Sequence, residues 1–353
     1  MLPLLPRFHT LGFPGGLLPM GPRNTIADVA GVTVGHRTRI EGADIRTGVT
    51  IVDPGVDQLF QRKIPAAIAV GNGYGKMAGI SQVQELGTME TPVALTSTLA
   101  VGPVVRGVVD LVVANGGVGP TDSINAVVGE VNDGLLNALH ADTVVPGDVR
   151  AADADRSADF ALGCVGGGTG SRCFAWKGGV GTASRLVHTE GRTFTVGMLL
   201  QTNFGGALAI CGVPFGRDFA PTDHDPFLPP GPDGSCMAIL ATDAPLSARQ
   251  LGRVARRAFL GLARTGAILA HGSGDYAVAF TTDRSRLDGS DEPGPGLADN
   301  ALNPFFLAAV ETTEYAVYDA LFAATDMDGR DGNQLRALPR ERAVAHLRKR
   351  LSL

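Results

Sequence analysis

Apolar and polar positions change period several times along the chain, and each change predicts an element. Ile26 to Val34 alternates apolar with small or polar residues, and Thr47 to Val52 repeats the pattern beyond a charged turn. A period of two marks half-buried strands, so these two are expected to pair. Ala66 to Val70 is a third short strand, ending in Gly71-Asn72-Gly73-Tyr74-Gly75. Met77 to Leu86 and Thr98 to Ala114 read as helices. The second is apolar on nearly every face, which predicts burial between a sheet and a neighbouring subunit. The polar cluster Glu130 to Gly134 reads as a turn or helix start before a short helix from Leu135 to His140. Phe160 to Val165 is expected as a strand, and Phe194 to Leu200 as another that presents Asn203 at its end.

The second half is more regular. Asp218 to Asp233 is rich in Pro, Gly and Asp and reads as an irregular surface segment, whereas Ser235 to Ala241 is an apolar strand. Ser247 and Gln250 form a capping box, and Leu251, Val254, Ala255, Ala258 and Leu262 recur at helical spacing up to Gly266. Asp275 to Thr281 is the next strand. A strand, a long amphipathic helix and a strand most simply make a right-handed crossover with the strands parallel. Both strands then start on one edge of the sheet, which places Ser273 and Asp275 near Ser235. Helices are expected over Asn300 to Ala324 and Arg340 to Leu351.

Composition narrows the class. The 353 residues are 44% hydrophobic and include 48 glycines, about twice the usual share. Such a chain folds, with many tight turns and close backbone approaches. A net charge of -5 gives no basic footprint for nucleic acid or an anionic membrane. No apolar run approaches the ~18 residues that span a bilayer, and Met1 to Met20 lacks a signal-peptide pattern, so a cytoplasmic location is the expectation. Cys164, Cys173, Cys211 and Cys236 form no CxxC pair, suggest neither a zinc site nor a disulfide framework, and are expected to be reduced. No cofactor is implied. Gly71 to Gly75 departs from dinucleotide-binding and P-loop spacing and reads as a structural turn. Gly166 to Arg172 has backbone N–H groups that can cradle an anion, yet the Gly-rich style that follows favours close sheet packing.

The chemistry converges on Gly234-Ser235. A serine there sits at the mouth of a buried strand, and glycine before it tolerates strained backbone, so the hydroxyl can be aimed at the preceding carbonyl. Cleavage would release Ser235 as a new N-terminus, whose α-amine has a pKa of roughly 7.7–8 and can act as base beside its own hydroxyl. The tripeptide Asp233-Gly234-Ser235 taken alone also fits an ordinary turn. Ser273 and Asp275 can orient the amine, and the side chain of Asn203 can donate to a developing oxyanion. A Ser/His/Asp triad of Ser273, His271 and Asp275 is the rival. It lacks the G-x-S-x-G elbow that would carry its serine.

Gly234-Ser235-Cys236-Met237, Gly272 to Tyr276, Gln201 to Gly205, Lys177 to Arg185 and Asn24 to Val32 together resemble the DmpA-type L-aminopeptidase/D-amidase-esterase and β-peptidyl aminopeptidase family. The resemblance covers nearly the whole chain in order. It implies an α/β fold, a single αββα sandwich domain shared with ornithine acetyltransferase and distinct in topology from the N-terminal nucleophile hydrolases. It also implies a homo-oligomer of protomers cleaved into residues 1–234 and 235–353. By the same resemblance Ser235 is the nucleophile, Ser273 and Asp275 orient its amine, Asn203 serves the oxyanion and Glu130 binds the substrate ammonium. Some members have Glu where this chain has Asp275. The family's oxyanion tyrosine is absent from Val131 to His140, leaving Asn132 or a backbone N–H as the second donor. The implied activity is removal of a small N-terminal residue (β-Ala, Gly, or L- or D-Ala type) from short peptides, amides or esters. Alternatives are an amide-oligomer hydrolase of the nylon-oligomer type, an acyltransferase like ornithine acetyltransferase, which uses Thr, or an unprocessed Gly-rich binding protein. The preferred N-terminal residue has no motif.

Overall fold

Along the strand Ser235–Thr242, Cys236, Ala238 and Leu240 face one apolar layer while Met237, Ile239 and Ala241 face another. That alternation sets the architecture, because a strand buried on both faces must lie between two covering layers. The computed structural model describes residues 7–216, 219, 234–287 and 295–353. A six-stranded sheet runs in the order Val180–Thr189, Arg192–Asn203, Ser235–Thr242, Gly274–Thr281, Ile64–Gly73, Thr88–Met89. A five-stranded sheet runs Thr33–Glu41, Ile45–Asp53, Val93–Ser97, Val127–Val131, Met77–Ala78. The inner layer between them holds Leu95, Val127, Leu199, Ile239, Val278 and Phe280. Each such fully buried aliphatic side chain stabilises the fold by ~1.5–3 kcal/mol.

Helices cover the two outer faces. Val101–Ala114 and Pro146–Ala154 pack on the five-stranded sheet through Val104, Val108 and Val149. Asn303–Ala323, Ala248–Ala255 and Ala258–Arg264 cover the six-stranded sheet through Phe305, Val317, Leu251 and Leu262. The result is a single αββα sandwich. The crossover forms as the pattern predicts: Ser247 and Gln250 make a reciprocal cap, Gly266 takes φ +93 to end the helical segment, and Ser235–Thr242 runs parallel to Gly274–Thr281. The helical segment is broken at Arg256–Arg257, where Arg253 and Arg257 instead lay their guanidinium groups over Phe306, 5.2 and 3.9 Å from the ring centre.

Several elements differ from expectation. Ile26–Asp28 is a 3-10 turn, and the strand starts only at Thr33. The Ile26 amide is drawn to Thr182 Oγ1, which takes it out of any ladder. Phe160 to Val165 is irregular because Gly163 turns left-handed at φ +80, against the end of the Asn303–Ala323 helix. Leu135 to His140 makes turns instead of a helix, since the Ala138 amide is captured by Asp44 O at 2.8 Å. Met77–Ala78 is an edge strand, and the helix begins at Ile80 after Gly79. In the Gly166 to Arg172 loop, Gly166 and Gly167 donate their N–H groups to Thr38 and Thr50, so neither is offered to an anion. The expected irregular segment Asp218 to Asp233 lies outside the described residues apart from Phe219. Among the described residues no helix is long and apolar enough to cross a membrane.

Candidate active site

Strand register brings the sequence-predicted residues to one end of the six-stranded sheet. Ser235 opens the central strand with Asn203 opposite it on one side and Gly274 on the other, and Gly274 in turn faces Gly73. Asp275 is the second residue of its strand, opposite Cys236 and Asn72, with a register shift just after it. Ser273 lies in the turn before that strand, closed by Ser273 N–H donating to Ala270 O at 2.9 Å. The side chain of Asn72 donates to the carbonyls of Ala270, His271 and Ser273, which fixes this turn. Sequence reasoning missed Asn72, whose only mark was its place in a Gly-rich strand end.

The Gly234-Ser235 peptide is held from both sides. Gly274 N–H donates to the Gly234 carbonyl oxygen at 3.2 Å. A Cβ on Gly234 would come within 2.7 Å of Phe204 Cα and 2.9 Å of the Asn203 carbonyl oxygen. Glycine is therefore required by close backbone approach. Cys236, the neighbour of Ser235, is buried and its thiol is pushed well above its usual range by burial, so it is no competing nucleophile.

Ser235, Ser273, Asp275 and Asn203 are all buried. Burial pushes the Asp275 carboxyl up to about 6, with the Ser273 hydroxyl pulling the other way. Among the described residues, Ser273 Oγ and Asp275 Oδ2 make no hydrogen bond of ordinary geometry. Asn203 is clamped at both ends of its amide: Oδ1 accepts from Arg172 N–H at 3.0 Å, and Nδ2 donates to the Asn132 carbonyl at 2.9 Å. One N–H of that amide remains. The Asn132 side chain is exposed and accepts from Gly134 N–H at 3.0 Å, an Asx turn. His271 is exposed, with its ring beside Tyr74 at 6.1 Å.

Glu130 comes from the other sheet, at the end of Val127–Val131 and not at a helix start. The chain from Gly73 to Met77 crosses between the sheets and joins it to the Ser235 row. Gly75 makes this possible: a Cβ there would lie 2.9 Å from Gly274 Cα and 3.1 Å from Glu130 Oε1, and its carbonyl accepts from Tyr276 OH at 2.9 Å. Glu130 Oε1 accepts from Lys76 N–H at 2.9 Å and from Lys76 Nζ at 3.4 Å. Glu130 Oε2 is buried and unpartnered. Buried polar groups are ordinarily satisfied, so three vacant ones around one backbone turn mark a place prepared for other atoms. Among the described residues no cluster of three His, Cys, Asp or Glu side chains is suited to a metal.

Residues 24–335 match the model of peptidase family S58. The chain is 35% identical to the β-peptidyl aminopeptidase BapA of Sphingosinicella microcystinivorans over 374 residues, covering 98% of this chain and 92% of that protein. It superposes on a Burkholderia sp. β-aminopeptidase with a TM-score of 0.88 at 35% identity, over 98% of this chain and 99% of the other. The L-aminopeptidase D-Ala-esterase/amidase of Ochrobactrum anthropi matches with a TM-score of 0.87 at 34% identity, over 98% of both chains. That structure is described as a prototype for the serine aminopeptidases and a new variant among the Ntn hydrolase fold. The chain is an aminopeptidase of peptidase family S58.

Proposed function

We propose that this aminopeptidase activates itself by cutting the Gly234-Ser235 bond and then uses Ser235 to release a small N-terminal residue from short peptides, amides or esters. The observation that carries the reading is the Gly274 N–H held 3.2 Å from the Gly234 carbonyl oxygen. Ser235 Oγ adds to that carbonyl carbon, the Gly274 amide stabilises the oxyanion, and the C–N bond breaks to leave an ester that water hydrolyses. The products are a Gly234 carboxylate and a free Ser235 α-amine. Residues 1–234 and 235–353 then form one αββα domain from two chains.

In turnover the α-amine takes the Ser235 hydroxyl proton as that oxygen attacks the substrate carbonyl. The amine becomes an ammonium at that moment. Asp275, buried with no cation paired to it among the described residues, gains its counter-ion there, and Ser273 orients the pair. The remaining Asn203 N–H serves the substrate oxyanion, with a backbone amide as the second donor, since the Asn132 side chain is engaged by Gly134. Glu130 Oε2 receives the substrate ammonium.

A denaturing gel of the purified protein tests the reading. Two fragments are expected, the smaller beginning at Ser235 by N-terminal sequencing, and Ser235→Ala is expected as one uncut, folded and inactive band. A start at any other residue, or cutting and turnover by Ser235→Ala, removes Ser235 from the mechanism.

A further inference from the structure

Lys76 stands where an aminopeptidase that accepts any free N-terminus has no use for a cation. Its Nζ donates to Thr98 Oγ1 at 2.8 Å and lies 3.4 Å from Glu130 Oε1, while its own backbone N–H already holds that oxygen at 2.9 Å. The lysine side chain is half-exposed, and Glu130 is 2% accessible. Glu130 is thus charge-balanced before any substrate arrives, with only Oε2 left. An ordinary N-terminal ammonium docking on Oε2 would put two cations against one carboxylate in a partly dry site. Such like-charge crowding costs affinity unless a further anion accompanies the ammonium.

We propose that this anion is a carboxylate on the substrate's own amine-bearing carbon, and that the preferred substrates carry an N-terminal β-aspartyl residue, with Lys76 binding its α-carboxylate. The inference rests on the reading that Glu130 receives the substrate ammonium. In an ordinary α-peptide the carbon that bears the amine also bears the scissile carbonyl and has no free carboxylate. A carboxylate beside the amine exists only where the residue is linked through its side chain. The β-linked case keeps the spacing between amine and scissile carbonyl found in β-amino acid residues. Ammonium on Glu130 Oε2 and carboxylate on Lys76 Nζ then form an alternating set of four charges with no excess. The covalent steps are those of hydrolysis: Ser235 Oγ bonds the β-carbonyl carbon, the amide C–N bond breaks with a proton passing to the leaving amine, and water releases L-aspartate.

β-Aspartyl-leucine and β-alanyl-leucine differ by one carboxylate, and kcat/KM on the two measures what Lys76 contributes. The wild type is expected to favour β-aspartyl-leucine by about tenfold or more, with γ-glutamyl-leucine poor. Lys76→Met is expected to lower that ratio at least tenfold. Inhibition of the wild type by the two products gives the same comparison without a variant: L-aspartate should inhibit more tightly than β-alanine, and Lys76→Met should erase the difference. Cleavage of β-alanyl-leucine as well as or better than β-aspartyl-leucine, or a ratio unmoved by Lys76→Met, overturns the role of Lys76 and leaves the aminopeptidase reading standing. A processed wild type that cleaves neither dipeptide but still cleaves α-linked glycyl or alanyl peptides likewise overturns the role of Lys76 and leaves the aminopeptidase reading standing.

Discussion

Two clusters of buried polar side chains, one at the outer strands of the six-stranded sheet and one where its inner strands meet Glu130 of the five-stranded sheet, behave oppositely. At the outer strands, Arg185 is fully buried and donates to Glu311, Asn24 and the carbonyls of Gly15 and Ser184. Glu311 also accepts from the Leu17 and Leu18 amides, and Asp28 accepts from Ser184 Oγ and the Arg23 and Thr25 amides. Where the crossing from Gly73 to Met77 meets the Gly274 strand, Glu130 Oε2, Ser273 Oγ and Asp275 Oδ2 are equally enclosed and have no hydrogen-bond partner among the described residues. Both sets supplied residues to the family resemblance. The difference teaches that burial of polar groups does not by itself mark function. The Arg185, Glu311 and Asp28 network, whose charged groups all have partners, fixes the frame, and the unpartnered atoms of the other cluster are open to a substrate and to the α-amine that the proposed cut would free.

Breaking the saturated cluster should show the largest effect on stability. Arg185→Leu leaves Glu311 charged and buried, which typically costs about 3–5 kcal/mol. Urea unfolding of uncut Ser235→Ala protein, with and without Arg185→Leu, measures it, and replacing Glu311 by Met as well should return part of the loss. An Arg185→Leu loss under about 1 kcal/mol would mean that the network is not the frame described.

The unsaturated cluster should respond in the other direction. The folded pKa of Asp275 is raised to about 6 from 3.8, so its contribution is favourable below pH 4 and is lost as pH rises through 6. In the Ser235→Ala background, Asp275→Asn should therefore raise stability at pH 8 relative to pH 4 by at most about 3 kcal/mol. Asp133, fully buried and also raised to about 6, keeps its own share of the slope. An unchanged slope would mean that burial does not raise the Asp275 carboxyl. The smallest effect is expected at the ammonium site. Glu130→Gln should lower kcat/KM on free N-termini by on the order of tenfold while self-cleavage proceeds. Matched N-acetylated substrates should be poor for the wild type. Equal use of blocked and free substrates would leave Glu130 no part in recognition.

The crossover and its site were legible because each signal was local: a cap at Ser247, a helical stripe to Leu262 and Gly266 as a stop. Parallel pairing then placed Ser235 beside the Gly274 strand without further information. Ile26 to Asp28 was misread because its conformation is decided by Thr182 and Ser184, more than 150 residues away in sequence. The same holds for Leu135 to His140, where the Asp44 carbonyl intervenes. Lys76 and Asn72 went unnoticed because a single polar residue in a Gly-rich turn has no pattern, and their meaning comes only from the chain crossing between sheets. The Gly274 amide carries no sequence signal at all, since every residue but proline has one.

If the Gly234-Ser235 bond is cut as proposed, the strand order has a consequence. Residues 235–353 contribute two adjacent strands, Ser235–Thr242 and Gly274–Thr281, and both outer neighbours, Arg192–Asn203 and Ile64–Gly73, belong to residues 1–234. Cutting before Ser235 severs the chain without removing a ladder bond of the strand it opens. The pieces are interleaved like the fingers of two hands, and neither can leave before two ladders are unzipped. Denaturation should then be one-way in practice: reassembly becomes a second-order encounter of two incomplete sheets that slows with dilution, whereas the uncut chain refolds as a single molecule.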